Sequence, residues 1–383
     1  MSDAVPPLGV YVHWPYCARI CPYCDFNVVR DRKQAEQAAL ADAIVADLEA
    51  QRGLTGPRRL VSIFLGGGTP SLMDPAWAAR IVETAKRLWT PDGEVEVSLE
   101  ANPTDAEADR FTAFRDAGVN RLSLGLQSFD DAALAFLGRN HDAAEARRAA
   151  DLAARTFPRL SVDLIYALPD QTPDAWRAQL EQAIALGAEH VSPYQLTIEE
   201  GTAFDRAVRR GVFRPADDLT GEALYDATQA VLCAAGFDAY EVSNHAKGAA
   251  ARSRHNLVYW RGQDYVGAGP AAHGRLTLDG ARTATTAKSG VADYIRAVGE
   301  TGVGFEAETL TPVEAAEERI LMGLRTYEGV AWGELAPLGL GPESAVVAGL
   351  MGQGLLAEDP GRLRATPTGR FLLDAVTRAL IVS

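Results

Sequence analysis

The sequence predicts an α/β protein with a partial barrel of six β-α units, followed by a smaller α+β domain that resembles a winged helix. Short apolar or alternating runs recur from residue 9 to about residue 241, and helical patterns separate them. Such alternation is typical of a parallel sheet. The pattern stops after six units, which fits a partial barrel better than a closed eight-fold one.

Six strands are predicted from short runs rich in apolar and β-branched residues. GVYVHW and VSIFL are almost wholly apolar, EVEVSLEA alternates clearly, and LSVDLIYAL is apolar except for one acidic residue. The predicted strands cover, in order, residues 9–14, 61–65, 94–101, 120–127, 160–168 and 189–196.

The stretches between these strands have helical periodicity. The first places Leu40, Ile44 and Leu48 on one face, and Asp74 with Pro75 makes a good N-cap and first turn for the second. Gly118 and Gly187 are predicted helix ends because glycine readily adopts the left-handed conformation found there. The predicted helices cover about 34–52, 75–88, 105–118, 131–137, 142–155 and 173–187.

The alternation degrades after residue 245. Residues 246–254 and 274–290 are small and polar, which predicts linker or loop. From about residue 311 the order is a helix, a second helix near 343–353, a hairpin in LLAEDPGRLRAT and a final helix, as in a winged helix. We therefore predict three parts, a barrel over 1–245, a connecting region over 246–310 and a C-terminal domain over 311–383.

Composition and charge argue against several classes of protein. The chain is 47% hydrophobic and 23% charged, which is ordinary globular material. MSDAVPPLGV lacks the features of a signal peptide and no run of eighteen apolar residues occurs, so we expect a cytoplasmic protein without a transmembrane segment, with peripheral membrane contact left open. The net charge of −14, and six basic against nine acidic residues over 311–383, argue against nucleic-acid binding.

Three of the four cysteines, Cys17, Cys21 and Cys24, form a C-x3-C-x2-C triplet in the loop after the first strand. So few cysteines make a disulfide framework implausible and favour thiols available to a metal. A zinc site would need a fourth ligand, for which His13 is near in sequence. An iron-sulfur cubane held by three thiolates would leave one iron open. The spacing favours the cluster, since structural zinc usually uses paired C-x2-C knuckles. The fourth cysteine, Cys233, lies in the apolar helix AVLCAAG and is predicted to be inert core.

Several strand ends carry polar groups that would face one mouth of a barrel. GGGTP at 66–70 matches neither a P-loop nor a dinucleotide fingerprint, but its glycines let the backbone approach a ligand; an ordinary turn is the alternative. Glu100 and Gln127 end the third and fourth strands, where each can bind a ligand or cap the next helix. Arg139 can pair with a ligand carboxylate or form a surface salt bridge. Asp163 interrupts an apolar run and needs a partner.

The triplet with Tyr23 before its last cysteine, the strand YVHWPYC and GGGTP together resemble the radical S-adenosylmethionine superfamily. More narrowly, essentially the whole chain resembles the oxygen-independent coproporphyrinogen III oxidases and their haem-chaperone relatives. The resemblance implies a radical-SAM partial (β/α)6 barrel in which Cys17, Cys21 and Cys24 hold a [4Fe-4S] cluster whose open iron binds S-adenosylmethionine. It assigns to the S-adenosylmethionine site Tyr11, Tyr23, Gly67, Gly68, Thr69, Glu100, Gln127, Arg139, Asp163 and Gln195, with Gly67, Gly68 and Thr69 at the methionine amino group.

Two features separate this chain from the decarboxylating oxidases. Those enzymes have a further cysteine two positions after the third, where this sequence has Phe26, and a longer arm than the sixteen residues that precede Cys17. RHNLVYW at 254–260 resembles the H-N-x-x-Y-W motif of the haem-chaperone branch. His255 is therefore the candidate haem ligand and His273 a second one, while a packed structural histidine is the alternative.

The resemblance implies a haem chaperone whose partners are haem or another tetrapyrrole, an unidentified haem-acceptor protein and an electron donor. An oxygen-independent coproporphyrinogen III oxidase, or another radical enzyme acting on a tetrapyrrole, is the second hypothesis. A zinc-stabilised barrel without a redox role is the third.

Overall fold

Six parallel strands in sequence order form the wall of a partial barrel. The structure is a computed structural model that describes residues 5–30 and 34–382. Each strand pairs in parallel with the next one along the chain, so the predicted six-unit partial barrel is confirmed. The strands are β1 Pro7–Trp14, β2 Arg59–Gly67, β3 Thr90–Ala101, β4 Arg121–Gln127, β5 Arg159–Tyr166 and β6 His190–Gln195.

Helices follow the barrel strands and cover them from outside. Leu40, Ile44 and Leu48 are buried as predicted, and the Asp74 side chain accepts from Ala76 N at the start of the second helix. The helices are α1 Gln34–Thr55, α2 Pro75–Leu88, α3 Asp105–Ala108, α4 Phe111–Asp116, α5 Asp131–Phe136, α6 Ala143–Thr156, α7 Pro173–Ala185, α8 Ala203–Arg209 and α9 Asp218–Ala234.

The single helix predicted over 105–118 is wrong, because the chain forms the two short helices α3 and α4 there. Side chains on either side of the break are bound to other parts of the barrel. Glu107 accepts from Asn102 N at 2.9 Å, and Arg110 Nη1 donates to Ser71 O at 2.6 Å. These tertiary contacts redirect the chain between the two helices.

The sheet continues beyond β1 on its other side. β7 Asp264–Ala268 pairs in parallel with β1, and β8 His273–Leu278, β9 Ala281–Ala287 and β10 Phe305–Thr309 add antiparallel strands. The prediction of linker or loop over 274–290 is therefore wrong. Asp279 and Gly280 have φ values of 50° and 81°, so a tight hairpin turn joins β8 and β9.

Two more helices belong to this part of the chain, α10 Arg254–Trp260 and α11 Val291–Thr301. The motif RHNLVYW is the whole of α10, which packs against β1, β2 and β7. No finding separates the chain at 245 and 310, so the division into 1–245, 246–310 and 311–383 stays a prediction. The strands of 246–310 lie in the same sheet as the barrel strands.

The C-terminal segment has a hydrophobic core of its own, which includes Ile320, Val330, Val347 and Leu363. As predicted, helices surround a small hairpin, here part of a three-stranded sheet, but the final helix is broken at Leu372. The helices are α12 Pro312–Gly323, α13 Ala345–Gly352, α14 Pro367–Phe371 and α15 Leu373–Ile381, and the short strands are Val330–Ala331, Leu356–Ala357 and Arg362–Ala365. Among the described residues, no helix has the length and apolarity needed to cross a bilayer.

Candidate functional site

A cavity of about 380 Å³ runs through the barrel interior and reaches the carboxyl ends of the strands. The three cysteines of the triplet line it, together with nine of the ten residues predicted for the S-adenosylmethionine site. Those nine are Tyr23, Gly67, Gly68, Thr69, Glu100, Gln127, Arg139, Asp163 and Gln195. We call this space the cluster cavity. Tyr11 does not line it and lies in the wall of a neighbouring cavity instead.

The cysteine loop leaves β1 and is closed by two short parallel strands, Tyr16–Cys17 and Val29–Arg30. Cys17 is buried and Cys21 and Cys24 are half-buried. Burial raises the pKa of the Cys17 thiol to about 11, against the effect of a hydrogen bond from Thr69 Oγ1 at 3.6 Å. Because metals bind the thiolate form, loading this site must release protons.

Arg139 lies beside the cysteines. Its Nη1 is 3.3 Å from Cys21 Sγ and 3.4 Å from Tyr23 Oη, and its Nη2 donates to Gly125 O at 3.0 Å. Its buried Nε has no hydrogen-bond partner among the described residues, and no ion pair there involves Arg139. The surface salt bridge considered above is therefore wrong, and this guanidinium can still receive a ligand carboxylate.

Backbone hydrogen bonds connect the GGGTP segment to the end of β1 and the start of the cysteine loop. Gly68 N donates to Trp14 O at 2.7 Å and Thr69 N to Tyr16 O at 2.8 Å. Gly67 has a φ of 108°, and a Cβ there would lie 2.5 Å from the His13 ring. Glycine is required because the end of β2 crosses so close to β1, which argues against an ordinary exposed turn.

Two carboxyl groups face the cluster cavity from β3 and β5. Glu100 accepts from Gly67 N at 3.0 Å, and burial, followed by the charge of Asp163, raises its pKa to about 8. Asp163 accepts from Ser123 Oγ at 2.9 Å and 3.2 Å, which confirms that it has a partner. Burial raises the pKa of Asp163 to about 6. No helix cap among the described residues involves Glu100, and near neutral pH its carboxyl is largely protonated and can donate a hydrogen bond.

Gln127 and Gln195 end β4 and β6. Gln127 has a left-handed φ of 64°, which is uncommon for a residue with a side chain, and its buried Oε1 has no partner among the described residues. Such backbone conformations cluster at active sites and ligand-binding segments, although they also occur in turns, as at Asp279. Gln195 Oε1 accepts from Tyr166 OH at 3.4 Å.

The residues present fit a cubane cluster better than a single zinc ion. No three His, Cys, Asp or Glu side chains of the described residues lie close enough to hold one metal ion. A cubane requires less convergence, because each thiolate binds a different iron. His13 is not free to be a fourth zinc ligand, since it is bonded to Tyr11 OH and to Asn27 O, both at 2.9 Å. The unpartnered atoms of Arg139 and Gln127 are suited to a polar ligand beside such a cluster.

Asn102, which no sequence motif singled out, links two parts of the site. Its Nδ2 donates to Thr69 Oγ1 at 3.1 Å and its Oδ1 accepts from Arg139. It follows β3 directly in SLEANP, so its place at a strand end was the available signal. Ser161, His190 and Ser192 also line the cavity, from alternate positions of neighbouring strands.

His255, the predicted haem ligand, is enclosed in the core. Its Nδ1 is hydrogen-bonded to Ser62 Oγ at 3.1 Å and its Nε2 to Tyr259 OH at 2.6 Å. The ring stacks on Phe64 at 4.8 Å, and burial lowers its pKa to about 3. Both nitrogens are thus occupied, which favours the packed structural alternative for this side chain.

Tyr259 and Trp260 of the same motif, and His273, the second candidate haem ligand, line a second cavity of about 620 Å³ together with Tyr11. It borders the cluster cavity, and Phe26, Gly67 and Glu100 line both. Cys233 is exposed on α9, so the prediction of a core position for it was wrong.

The partial barrel and its cysteine loop define the class of protein, since a family model for the radical SAM superfamily matches residues 11–183 and one for the HemN C-terminal domain matches residues 310–372. The coproporphyrinogen III oxidase HemN of Escherichia coli has a similar fold, with a TM-score of 0.80, 21% identity and coverage of 98% of this chain and 90% of that one.

Two relatives are similar along most of their length. Radical S-adenosyl methionine domain-containing protein 1, mitochondrial, of Bos taurus is 40% identical over 97% of this chain and 87% of its own. The heme chaperone HemW of Mycobacterium tuberculosis is 35% identical over 98% of this chain and 95% of its own. The chain therefore belongs to the HemW group of HemN-like radical SAM proteins, a family that implies S-adenosylmethionine and a [4Fe-4S] cluster.

Proposed function

We propose that this protein is a haem chaperone of the HemW type, which binds haem and a [4Fe-4S] cluster with S-adenosylmethionine and delivers the haem to an acceptor protein. The observation that carries the proposal is the aromatic second cavity beside the cysteine loop, with Phe26 exposed between it and the cluster cavity. The names of the bacterial relatives support it. An electron donor, an acceptor protein and a cytoplasmic location belong to the same proposal.

Each group of the cluster cavity has a role in this proposal. Cys17, Cys21 and Cys24 hold the cluster, which when reduced supplies one electron to S-adenosylmethionine. Arg139 receives the ligand carboxylate, because its enclosed cation has no carboxylate partner among the described residues. Glu100, Gln127, Asp163 and Gln195 bind the remaining polar groups of S-adenosylmethionine from the strand ends, with Tyr23 and the GGGTP backbone beside the cluster.

The second candidate function is oxidative decarboxylation of coproporphyrinogen III. The fold shared with HemN permits it. Phe26 argues against it, because an exposed apolar ring occupies the position where the oxidases have a further cysteine.

Anaerobic reconstitution followed by two parallel measurements tests the proposal. We expect a brown protein that binds haem stoichiometrically, seen as a haem absorbance band, and that forms no protoporphyrinogen IX from coproporphyrinogen III. Product formation without haem binding would establish the oxidase instead. A colourless protein with one zinc per chain would exclude both.

Removing the thiols tests the cluster assignment separately. Replacing Cys17, Cys21 and Cys24 together by alanine should remove iron and labile sulfide almost completely, while haem binding persists because the second cavity contains none of these residues. Cys233→Ala is the matched control, since this cysteine is exposed on α9, and it should leave iron and haem unchanged. Full iron content in the triple variant would refute the assignment.

A further inference from the structure

The second cavity lies where three separate parts of the chain meet. Its walls come from α10, from the strands β7 to β9 and from α12 of the C-terminal segment, and Tyr11 of β1 closes its inner side. We call it the α10–α12 cavity. Its volume of about 620 Å³ is within the range of cavities that hold drug-sized or cofactor-sized ligands.

Aromatic side chains give this cavity flat apolar walls. Tyr11, Tyr259, Trp260 and Tyr265 line it, and Tyr259 packs edge-on against Tyr265 with ring centroids 4.4 Å apart. Phe26 lies at the border with the cluster cavity and is 61% exposed. Burying so large an apolar ring would stabilise the protein, so its exposure is unusual. These surfaces suit a large planar apolar ligand that would cover them.

The arginines of the wall can offer N–H donors to the anionic groups of a ligand. Three arginines line the cavity, Arg275, Arg282 and Arg319, whereas the wall carboxyls are Glu318 and Glu100. Glu318 is already paired with Arg275 at 2.6 Å. Arg282 and Arg319 are likewise paired, with Asp264 at 2.8 Å and with Glu334 at 2.6 Å, so the wall offers arginine N–H donors rather than a net positive charge.

Two of these arginines keep donors that the described residues do not use. Arg282 donates from Nη1 to Asp264 at 2.8 Å and from Nη2 to Gln263 O at 3.1 Å, and Nε has no partner among the described residues. Arg319 donates from Nε to Glu334 and from Nη1 to Trp260 O, and its Nη2 has no described acceptor. These donors are available to the carboxylates of a ligand.

His273 has a ring nitrogen that can coordinate the metal of a bound metalloporphyrin. It starts β8 in the wall of the cavity, and its Nδ1 lies 3.4 Å from Thr286 Oγ1. Its Nε2 has no hydrogen-bond partner among the described residues. The two nitrogens of His255 are both bonded, and so are those of His13.

We propose that the α10–α12 cavity is the haem site, with Nε2 of His273 as an axial ligand of the iron and Arg282 and Arg319 as partners of the propionates. The inference rests on the proposed function, because it places the haem that function requires. In this proposal α10 forms one wall of the haem site. Tyr259 and Trp260 face the porphyrin ring, and His255 attaches the helix to β2 through its bond to Ser62.

Comparing haem with metal-free protoporphyrin IX tests the iron ligand, since the two share ring and carboxylates and differ in the metal. In the reconstituted full-length protein, His273→Ala should weaken ferric haem binding about tenfold or more, as expected for the loss of one strong interaction, and shift its absorbance maximum. Protoporphyrin IX binding should stay within about twofold of wild type. Added imidazole should restore the absorbance spectrum of the His273→Gly variant, which a purely structural role would not allow.

The arginines are tested with the same two porphyrins. Arg282→Gln and Arg319→Gln should each weaken haem and protoporphyrin IX alike, because the lost contacts are to the propionates. Arg87→Gln, which breaks an exposed pair with Glu49 on the barrel surface, is the control and should weaken neither.

The outcomes separate the inference from the function on which it rests. If the wild-type protein binds no haem, the proposed function fails. If it binds haem and His273→Ala retains wild-type affinity and spectrum, the function stands and the site is wrong. Loss of haem affinity only in a folded His255→Gln variant would likewise overturn the assignment of His273.

Discussion

Glu100 is a single side chain whose protonation is set by its surroundings. It is enclosed between Gly67 and the β5 carboxyl of Asp163, and its pKa rises from 4.5 to about 8. The folded protein therefore holds a proton that the unfolded chain releases between these two values. The stabilisation is complete below pH 4.5 and is lost as the pH rises through 8.

Glu100→Gln should remove this pH dependence, because glutamine keeps an oxygen for Gly67 N and carries no charge. In the ligand-free protein, we expect the unfolding temperature of the variant to exceed that of wild type by several degrees at pH 8 and by much less at pH 5. Thermal unfolding followed by circular dichroism at both pH values measures the difference. The control is Glu49→Gln on the exposed surface of α1, and a difference that is the same at both pH values would contradict the argument.

The environment of some residues of the site could be predicted from the sequence, and that of others could not. The partner of Asp163 was predictable because a carboxylate in an apolar run is costly without one. The state of His255 was not, since its Nδ1 is bonded to Ser62, which is 193 residues away along the chain, and only its bond to Tyr259 lies within α10. A motif identifies such a residue but does not tell which of its atoms are already occupied.

The end of β2 is the element on which the cysteine loop rests. Its last residue, Gly67, has a φ of 108° and no room for a Cβ beside His13. Gly93 also has a positive φ, 62°, but a Cβ there would meet no atom within 4 Å. Comparing alanine substitutions at these two glycines therefore distinguishes the energetic cost of backbone strain from that of steric collision.

Gly67→Ala should cost about 2 kcal/mol more in free energy of unfolding than Gly93→Ala, for which backbone strain alone predicts about 1 kcal/mol. We also expect Gly67→Ala to take up less iron on reconstitution, because the displaced GGGTP segment contacts the cysteine loop. Urea unfolding and iron analysis of both variants measure these effects. Equal losses of stability in the two variants would show that the collision with His13 is relieved at no cost.

At the level of elements, the sequence predicted the barrel strands because each has its own apolar run. It failed for the β8–β9 hairpin, where threonines and small residues replace the usual apolar pattern. The Asp279-Gly280 dipeptide was a hairpin signal within that polar stretch. Pairing with the rest of the sheet stabilises these strands, and composition alone does not report such pairing.

The C-terminal segment is held against the barrel by ion pairs of different burial. Arg325 pairs with Glu241 at 3.1 Å, where the glutamate side chain is fully buried, and its guanidinium lies 4.8 Å from the centre of the Trp260 ring. Arg261 and Glu328 pair across the same contact but are exposed. The buried pair should therefore contribute much more to the docking of the segment.

Arg325→Ala should lower the free energy of unfolding by about 2 to 3 kcal/mol, because it leaves the buried Glu241 without its cation. The partial exposure of Arg325 places the value at the lower end of the range for such changes. Arg261→Ala should cost less than about 1 kcal/mol. Denaturant unfolding of both variants provides the measurement, and a loss for Arg261→Ala as large as for Arg325→Ala would mean that burial does not decide the strength of this contact.

For the whole molecule, the sequence predicted the cluster cavity far better than its neighbour. The walls of the cluster cavity are strand ends, and their common direction follows from the parallel sheet. The α10–α12 cavity is assembled from residues between Tyr11 and Met322, through the docking of a separate hydrophobic core on the barrel. No local sequence pattern predicts that arrangement.

The shared border of Phe26, Gly67 and Glu100 has a thermodynamic consequence. A nucleoside in one cavity and a porphyrin in the other would contact the same three residues, so each would change the dissociation constant of its neighbour. That coupling is necessarily reciprocal, since both orders of binding lead to the same ternary complex. Under the proposed function, whatever strengthens or weakens nucleoside binding would also change how readily the porphyrin leaves, so haem release would depend on the state of the cofactor.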